Sequence, residues 1–142
     1  MFLKLEAALL QFFYLAHWVI PWFILLVGMY MIVKFVRGYL DRLPFTDNER
    51  KYLVAFRYLM TMQGVTGIVY FVWSGLLTQD FPVYRIAHGV MMFIAAMILR
   101  FAPRAKSADD ATLYLNNFYV LLFSFLIMLV GLGLVPASTT GR

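Results

Sequence analysis

Charge is confined to a few short stretches of this chain, and four apolar runs lie between them. Ala7 to Val33, Tyr58 to Gln79 and Ile86 to Leu99 carry no Asp, Glu, Lys or Arg. The last such stretch runs from Ala111 to Gly141, around an apolar core at Phe118 to Pro136. A membrane-spanning helix needs about 20 mostly apolar residues. The pattern therefore predicts an all-α integral membrane protein with four spans, at about 7–35, 50–78, 82–102 and 110–135, in one membrane domain covering residues 1–142. The third run is the short one. A full crossing needs Arg85 and Arg100 to snorkel toward the two surfaces, and a re-entrant segment is the alternative.

Helix-boundary signals agree with the runs. Thr46-Asp47-Asn48-Glu49 is a capping-box pattern just after Pro44, so the second helix should start near Asp47. Asp80 before Pro82 reads as an N-cap and first-turn pair opening the third helix. Pro103 should stop that helix, and Ser107-Ala108-Asp109-Asp110 should cap the fourth. The short connections predict an up-down-up-down bundle, with the first and third helices parallel and diagonal. Pro136 to Arg142 reads as a short tail.

A tandem duplication of a two-helix hairpin is a further expectation. The first helix of each half carries Ala-His-x-Val, at Ala16-His17 and Ala87-His88, and the second carries Tyr-Leu-x-x-Phe, at Tyr52 and Tyr114. The histidines are 71 residues apart and the tyrosines 62, so the first copy would have the longer connection. Two such copies would be related by a pseudo-twofold axis along the membrane normal.

Composition narrows the classes. The chain is 63% hydrophobic and 13% charged, against about 45–50% and about 25% in a soluble domain. So short a chain has too little interior for that apolar surface, and the expected solvent is lipid. The first run is too long for a signal peptide and reads as a retained span. With no cysteine, disulfides, iron–sulfur clusters, covalent c-type haem and thiol chemistry are excluded. The net charge of +5 does not indicate nucleic acid, because the basic residues sit at span edges. Nine of the twelve flank the first and third connections. The positive-inside rule then puts loops 36–49 and 103–109 in the cytoplasm and both termini outside, in a plasma or inner membrane.

The only two histidines, His17 and His88, both fall inside apolar runs. An ionisable side chain at membrane depth is costly and is by default a functional hypothesis. Two imidazoles facing each other across a bundle diagonal are what a b-type haem needs as axial ligands. Arg85 lies on one stripe with His88, Met92 and Ala95, about one turn from His88, where a haem propionate would emerge. Depth argues against the pair: His17 precedes Lys34 by 17 residues and His88 precedes Arg100 by 12, a mismatch of about 7–8 Å. Pro21 cannot donate to the carbonyl four residues earlier, which is that of His17. The helix should bend there and leave that carbonyl free for a polar partner or water.

Gln63, Gly67, Tyr70 and Ser74 share a face of the second helix, and Asn117, Ser124, Met128 and Gly131 one of the fourth. Such faces usually mean helix packing. Gln63 and Tyr70 could also line a quinone pocket. The nine methionines fit gap filling. All seven acidic residues lie at span edges or in loops, so zinc or di-iron sites are not expected, and no catalytic machinery is visible.

Two functions follow as expectations. The first is a small membrane b-type cytochrome, or a haem-bearing subunit or anchor of an electron-transfer complex, with His17 and His88 as ligands and Arg85 at a propionate. Its physical chemistry resembles that of four-helix membrane cytochromes in general, without the four histidines that two-haem versions need. The second is a non-redox accessory or assembly subunit, whose histidines hydrogen-bond between helices or ligate chlorophyll. A transporter ranks last, since no acidic residue sits in a span. The expected partners are the lipid bilayer and other membrane subunits or further copies of the chain.

Overall fold

The computed structural model describes residues 2–100 and 108–135. They form four helices: α1 (Phe2–Leu40), α2 (Asp47–Thr78), α3 (Val83–Arg100) and α4 (Asp110–Gly133), with no strand among the described residues. Each is long and apolar enough to cross a membrane. Pro103, Ser107 and the tail from Pro136 lie outside the described residues.

Helices α1 and α2, α2 and α3, α3 and α4, and α4 and α1 pack side by side, whereas α1 and α3 do not, nor do α2 and α4. The four helices therefore stand on the corners of a square, with α1 diagonal to α3 as the short connections predict. Neighbours are antiparallel. Lys34 reaches Glu49 near one end of the α1–α2 pair and His17 reaches Gln63 nearer the other. Ser124 donates to the Ala95 carbonyl at 2.8 Å, and His88 lies by Gly131. The α2–α3 seam is the sparsest of the four.

The interior is a column of apolar side chains from all four helices, centred on Ile24, Met31, Phe35, Phe56, Ala95, Leu99, Leu121 and Phe125. The outer surface is equally apolar. Leu26 is 70% exposed and Val83 79%, and Ile68, Phe93 and Phe123 also point outward. Hydrophobicity therefore does not sort inside from outside: large apolar side chains occupy both, and the polar Asn117 and Ser124 are inside. That is the packing logic of helices whose solvent is as apolar as their core.

The end of the bundle at the α1–α2 connection is locked by side chains. Thr46 caps α2 as its sequence predicts: its hydroxyl accepts the Asn48 N–H at 3.2 Å, and the Glu49 carboxylate accepts the Thr46 N–H at 2.9 Å. The same buried carboxylate pairs with Lys34 of α1 at 3.1 Å, and the Lys34 ammonium lies 4.4 Å from the centre of the Tyr52 ring. Tyr114 of α4 donates its hydroxyl to the Pro44 carbonyl at 3.1 Å, and its ring packs edge-on against Phe35 and Phe45. Gly38 makes room for that ring, since a Cβ there would lie 2.3 Å from it.

One expectation changes. Asp80 is not the cap of α3: the Pro82 carbonyl accepts the first helical N–H groups, from Arg85 and Ile86, so Pro82 itself holds the N-cap position. Asp109 holds the N-cap position of α4, as the sequence predicts, through its backbone carbonyl and without a side-chain bond. Tyr52 and Tyr114, matched in the repeat, have different surroundings: Tyr52 is exposed and Tyr114 buried. In Gly38→Ala, the new methyl should collide with the Tyr114 ring and destabilise the bundle by about 1–3 kcal/mol. Unfolding in detergent, read by circular dichroism, should show this cost, and a Tyr114→Ala background should largely remove it.

Candidate functional site

The site is organised around a backbone bond that α1 does not make. Pro21 lies inside the helix, and without an N–H it leaves the His17 carbonyl with no donor at the usual position. Gln63 of α2 supplies one: its amide nitrogen donates to the His17 carbonyl at 3.1 Å. The same nitrogen lies 2.9 Å from His17 Nδ1. An amide nitrogen has two hydrogens, so one side chain holds both the backbone and the ring of His17. Gln63 is buried, and its Oε1 has no partner.

Small residues let the rings approach. A Cβ at Gly67 would lie 2.7 Å from His17 Cε1, so the His17 ring rests on bare backbone of α2. Tyr70, one turn along, stacks on His17 with centroids 6.1 Å apart and planes 25° apart. Across the bundle, His88 Nδ1 lies 2.8 Å from the Gly131 carbonyl oxygen of α4. A carbonyl only accepts, so His88 carries its proton on Nδ1 and presents a lone pair on Nε2. Each histidine is thus held by the second helix of its own hairpin, α2 for His17 and α4 for His88.

The structure brings the two histidines together. Their ring centroids are 6.2 Å apart and their planes are nearly perpendicular, at 89°. The depth mismatch counted from Lys34 and Arg100 does not separate them. That count took the two cations as one level, but α1 continues to Leu40 while Arg100 ends α3. With the rings level, Lys34 lies about 7–8 Å beyond Arg100 along the bundle. Arg85 is one turn from His88 and half-buried, with its guanidinium 5.9 Å from the Tyr84 ring centre.

The ring separation has a chemical meaning. Two imidazoles sharing one metal ion place their centroids about 6 Å apart, given an N–metal bond of ~2.0–2.1 Å as for zinc and about 1 Å from ring nitrogen to centroid. A direct N–H···N bond would bring the centroids to about 5 Å. The observed distance is compatible with a shared metal and equally with ordinary edge-to-face packing of two rings. For a metal, His88 is ready: a ligating histidine usually donates its other N–H to a carbonyl. His17 as shown holds its proton on Nε2, because Nδ1 accepts from Gln63. Ligation through His17 Nε2 requires the other tautomer, and the Gln63 amide must then turn so that Oε1, now without a partner, accepts the Nδ1 proton. The turn gives up the bond to the His17 carbonyl. The residues fit an axially ligated group on those terms.

Comparison of the chain with protein-family models, with curated proteins and with solved structures found no match. The site is therefore read from its own residues. Sequence reasoning had placed the Gln63 face inside but saw it as packing or pocket lining. Its grip on His17 follows only once α1 and α2 are docked in register. In Gln63→Leu both hydrogen bonds are lost and the His17 carbonyl is left unpaired. The expected cost is about 1–3 kcal/mol, measurable by the same unfolding assay, with Gln63→Asn no better because the shorter amide cannot span both acceptors.

Proposed function

We propose that this chain is a small integral membrane b-type cytochrome, or the haem-bearing subunit of a membrane electron-transfer complex. The observation that carries the reading is the 6.2 Å separation of His17 and His88 across the α1–α3 diagonal. It supports the reading because the only two histidines of the chain, on helices that do not pack against each other, lie close enough for one metal to join them. A b-type haem held there would pass single electrons. His17 and His88 would be its axial ligands. The Gly131 carbonyl holds the His88 ring with its Nε2 free, and Gln63 holds the His17 ring, whose Nε2 would become a ligand once the Gln63 amide turns to accept the Nδ1 proton. Arg85, one turn from His88, would offer its guanidinium to a propionate. The apolar outer surface suits a bilayer, and the bias of basic residues supports cytoplasmic loops at 36–49 and 103–109 with both termini outside.

A second reading has its own support. A separation of 6.2 Å also lies within ordinary edge-to-face ring packing, and each histidine already has a hydrogen bond to a neighbouring helix. Both suit an accessory or assembly subunit that binds no cofactor.

A reduced-minus-oxidised visible spectrum of the purified protein separates the two. The cytochrome reading expects a sharp α band that is lost in both His17→Ala and His88→Ala. An absent band, or one unchanged in the two variants, overturns it in favour of the accessory subunit. A red-shifted pigment band would point to chlorophyll instead.

A further inference from the structure

We propose that the cleft between α1 and α2 beside His17 binds the headgroup of a quinone. Ala7, Leu10, Gln11 and Tyr14 of α1 and Tyr70 of α2 line a shallow hollow of about 320 Å³ that is open along most of its face. The four α1 residues follow the i, i+3, i+4, i+7 spacing of one helical stripe, and His17 is the next residue along it. Tyr14 and Tyr70 lie against each other with centroids 5.5 Å apart, and Tyr70 stacks on His17. Tyr70 is therefore shared: it lines the hollow and stacks on the ring proposed as a haem ligand. This inference rests on the cytochrome reading for its purpose, and on the cleft alone for its chemistry.

The hydrogen-bonding groups of the cleft are idle. Among the described residues, the Tyr14 and Tyr70 hydroxyls and the Gln11 amide have no hydrogen-bond partner. Gln11 is exposed and both tyrosines are half-buried, so a ligand in the hollow can reach all three. Together they offer two hydroxyl donors and one amide on a wall that is otherwise aliphatic and aromatic. The matching ligand is flat, apolar on both faces and equipped with neutral oxygen acceptors, which describes a quinone ring. A phospholipid headgroup fits less well, because no Lys or Arg lines the recess to meet a phosphate. Because the hollow is open, a headgroup lying against it keeps its tail in the bilayer. Gln63, paired with Tyr70 in the sequence-based expectation of such a pocket, is engaged by His17, and Gln11 takes its place.

The test uses the full chain in nanodiscs and a short-chain benzoquinone with one isoprenoid unit. Binding is read as quenching of tryptophan fluorescence, with Trp73 one turn from Tyr70 as the nearby reporter. Saturable quenching is expected. Tyr14→Phe and Tyr70→Phe keep the rings and remove only the hydroxyls, and each should weaken binding roughly three- to tenfold. Gln11→Leu should do the same. Quenching that does not saturate, or that is unchanged in all three variants, overturns the proposal. So does displacement of the quinone when the discs are changed from zwitterionic to anionic lipid, since the cleft would then be a lipid headgroup site. The readout needs no haem. An absent α band with saturable quinone binding removes the cytochrome alone, and an α band without such binding removes the quinone site alone.

Discussion

The carbonyl of His17 has to find a hydrogen-bond donor outside its own helix, and much of the site's geometry follows from that requirement. In water a proline inside a helix leaves a carbonyl that solvent can satisfy. In a hydrocarbon environment the donor must come from the protein. Here it comes from Gln63, 46 residues away on the neighbouring helix. An amide that must reach that carbonyl is already beside the imidazole of the same residue, so the backbone defect and the ring orientation are settled by one side chain. Gly67 completes the arrangement by removing the Cβ that would stand in the ring's place. Pro21, His17, Gln63 and Gly67 thus act as one unit joining α1 to α2.

The opposite end of the bundle is held by different physics. Glu49 closes the capping box of α2 and takes the Lys34 ammonium, while Tyr114 ties the α1–α2 connection to α4 through the Pro44 carbonyl. Charge is affordable there because it lies where the spans end. Between the two ends the contacts are apolar, joined by the Ser124 bond to the Ala95 carbonyl. Polar contacts at two levels fix the register of helices that apolar packing alone would leave free to slide, because lipid and core are alike in polarity.

These two levels were not equally legible in the sequence. The capping box was, since Thr46 and Glu49 are three residues apart and their geometry is local. The four helices were, since a charge-free run in a lipid solvent has few other folds. The freed His17 carbonyl was also legible, because Pro21 acts on a fixed neighbour. Its partner was not, because nothing local relates residue 17 to residue 63. The same holds for Gly38, whose missing Cβ matters only once α4 brings Tyr114 against it. Depth counted from Lys34 and Arg100 misled for a related reason. Long cationic side chains mark a surface only loosely, and Lys34 is placed by Glu49.

The arrangement of the seams bears on how a site of this kind is assembled. Each histidine is oriented by the other helix of its own hairpin, so the contacts that hold the imidazoles lie within the hairpins and not between them. Docking the halves through the α1–α4 and α2–α3 seams then brings the rings to 6.2 Å without either seam having to position them. This division persists whether or not the halves arose by duplication, although Tyr52 and Tyr114, near the start of the second helix of each hairpin, have unlike settings, one exposed and one buried. The α2–α3 seam, the sparsest of the four, holds neither ring, and neither does the α1–α4 seam, so the orientation of the pair depends on the two contacts inside the hairpins.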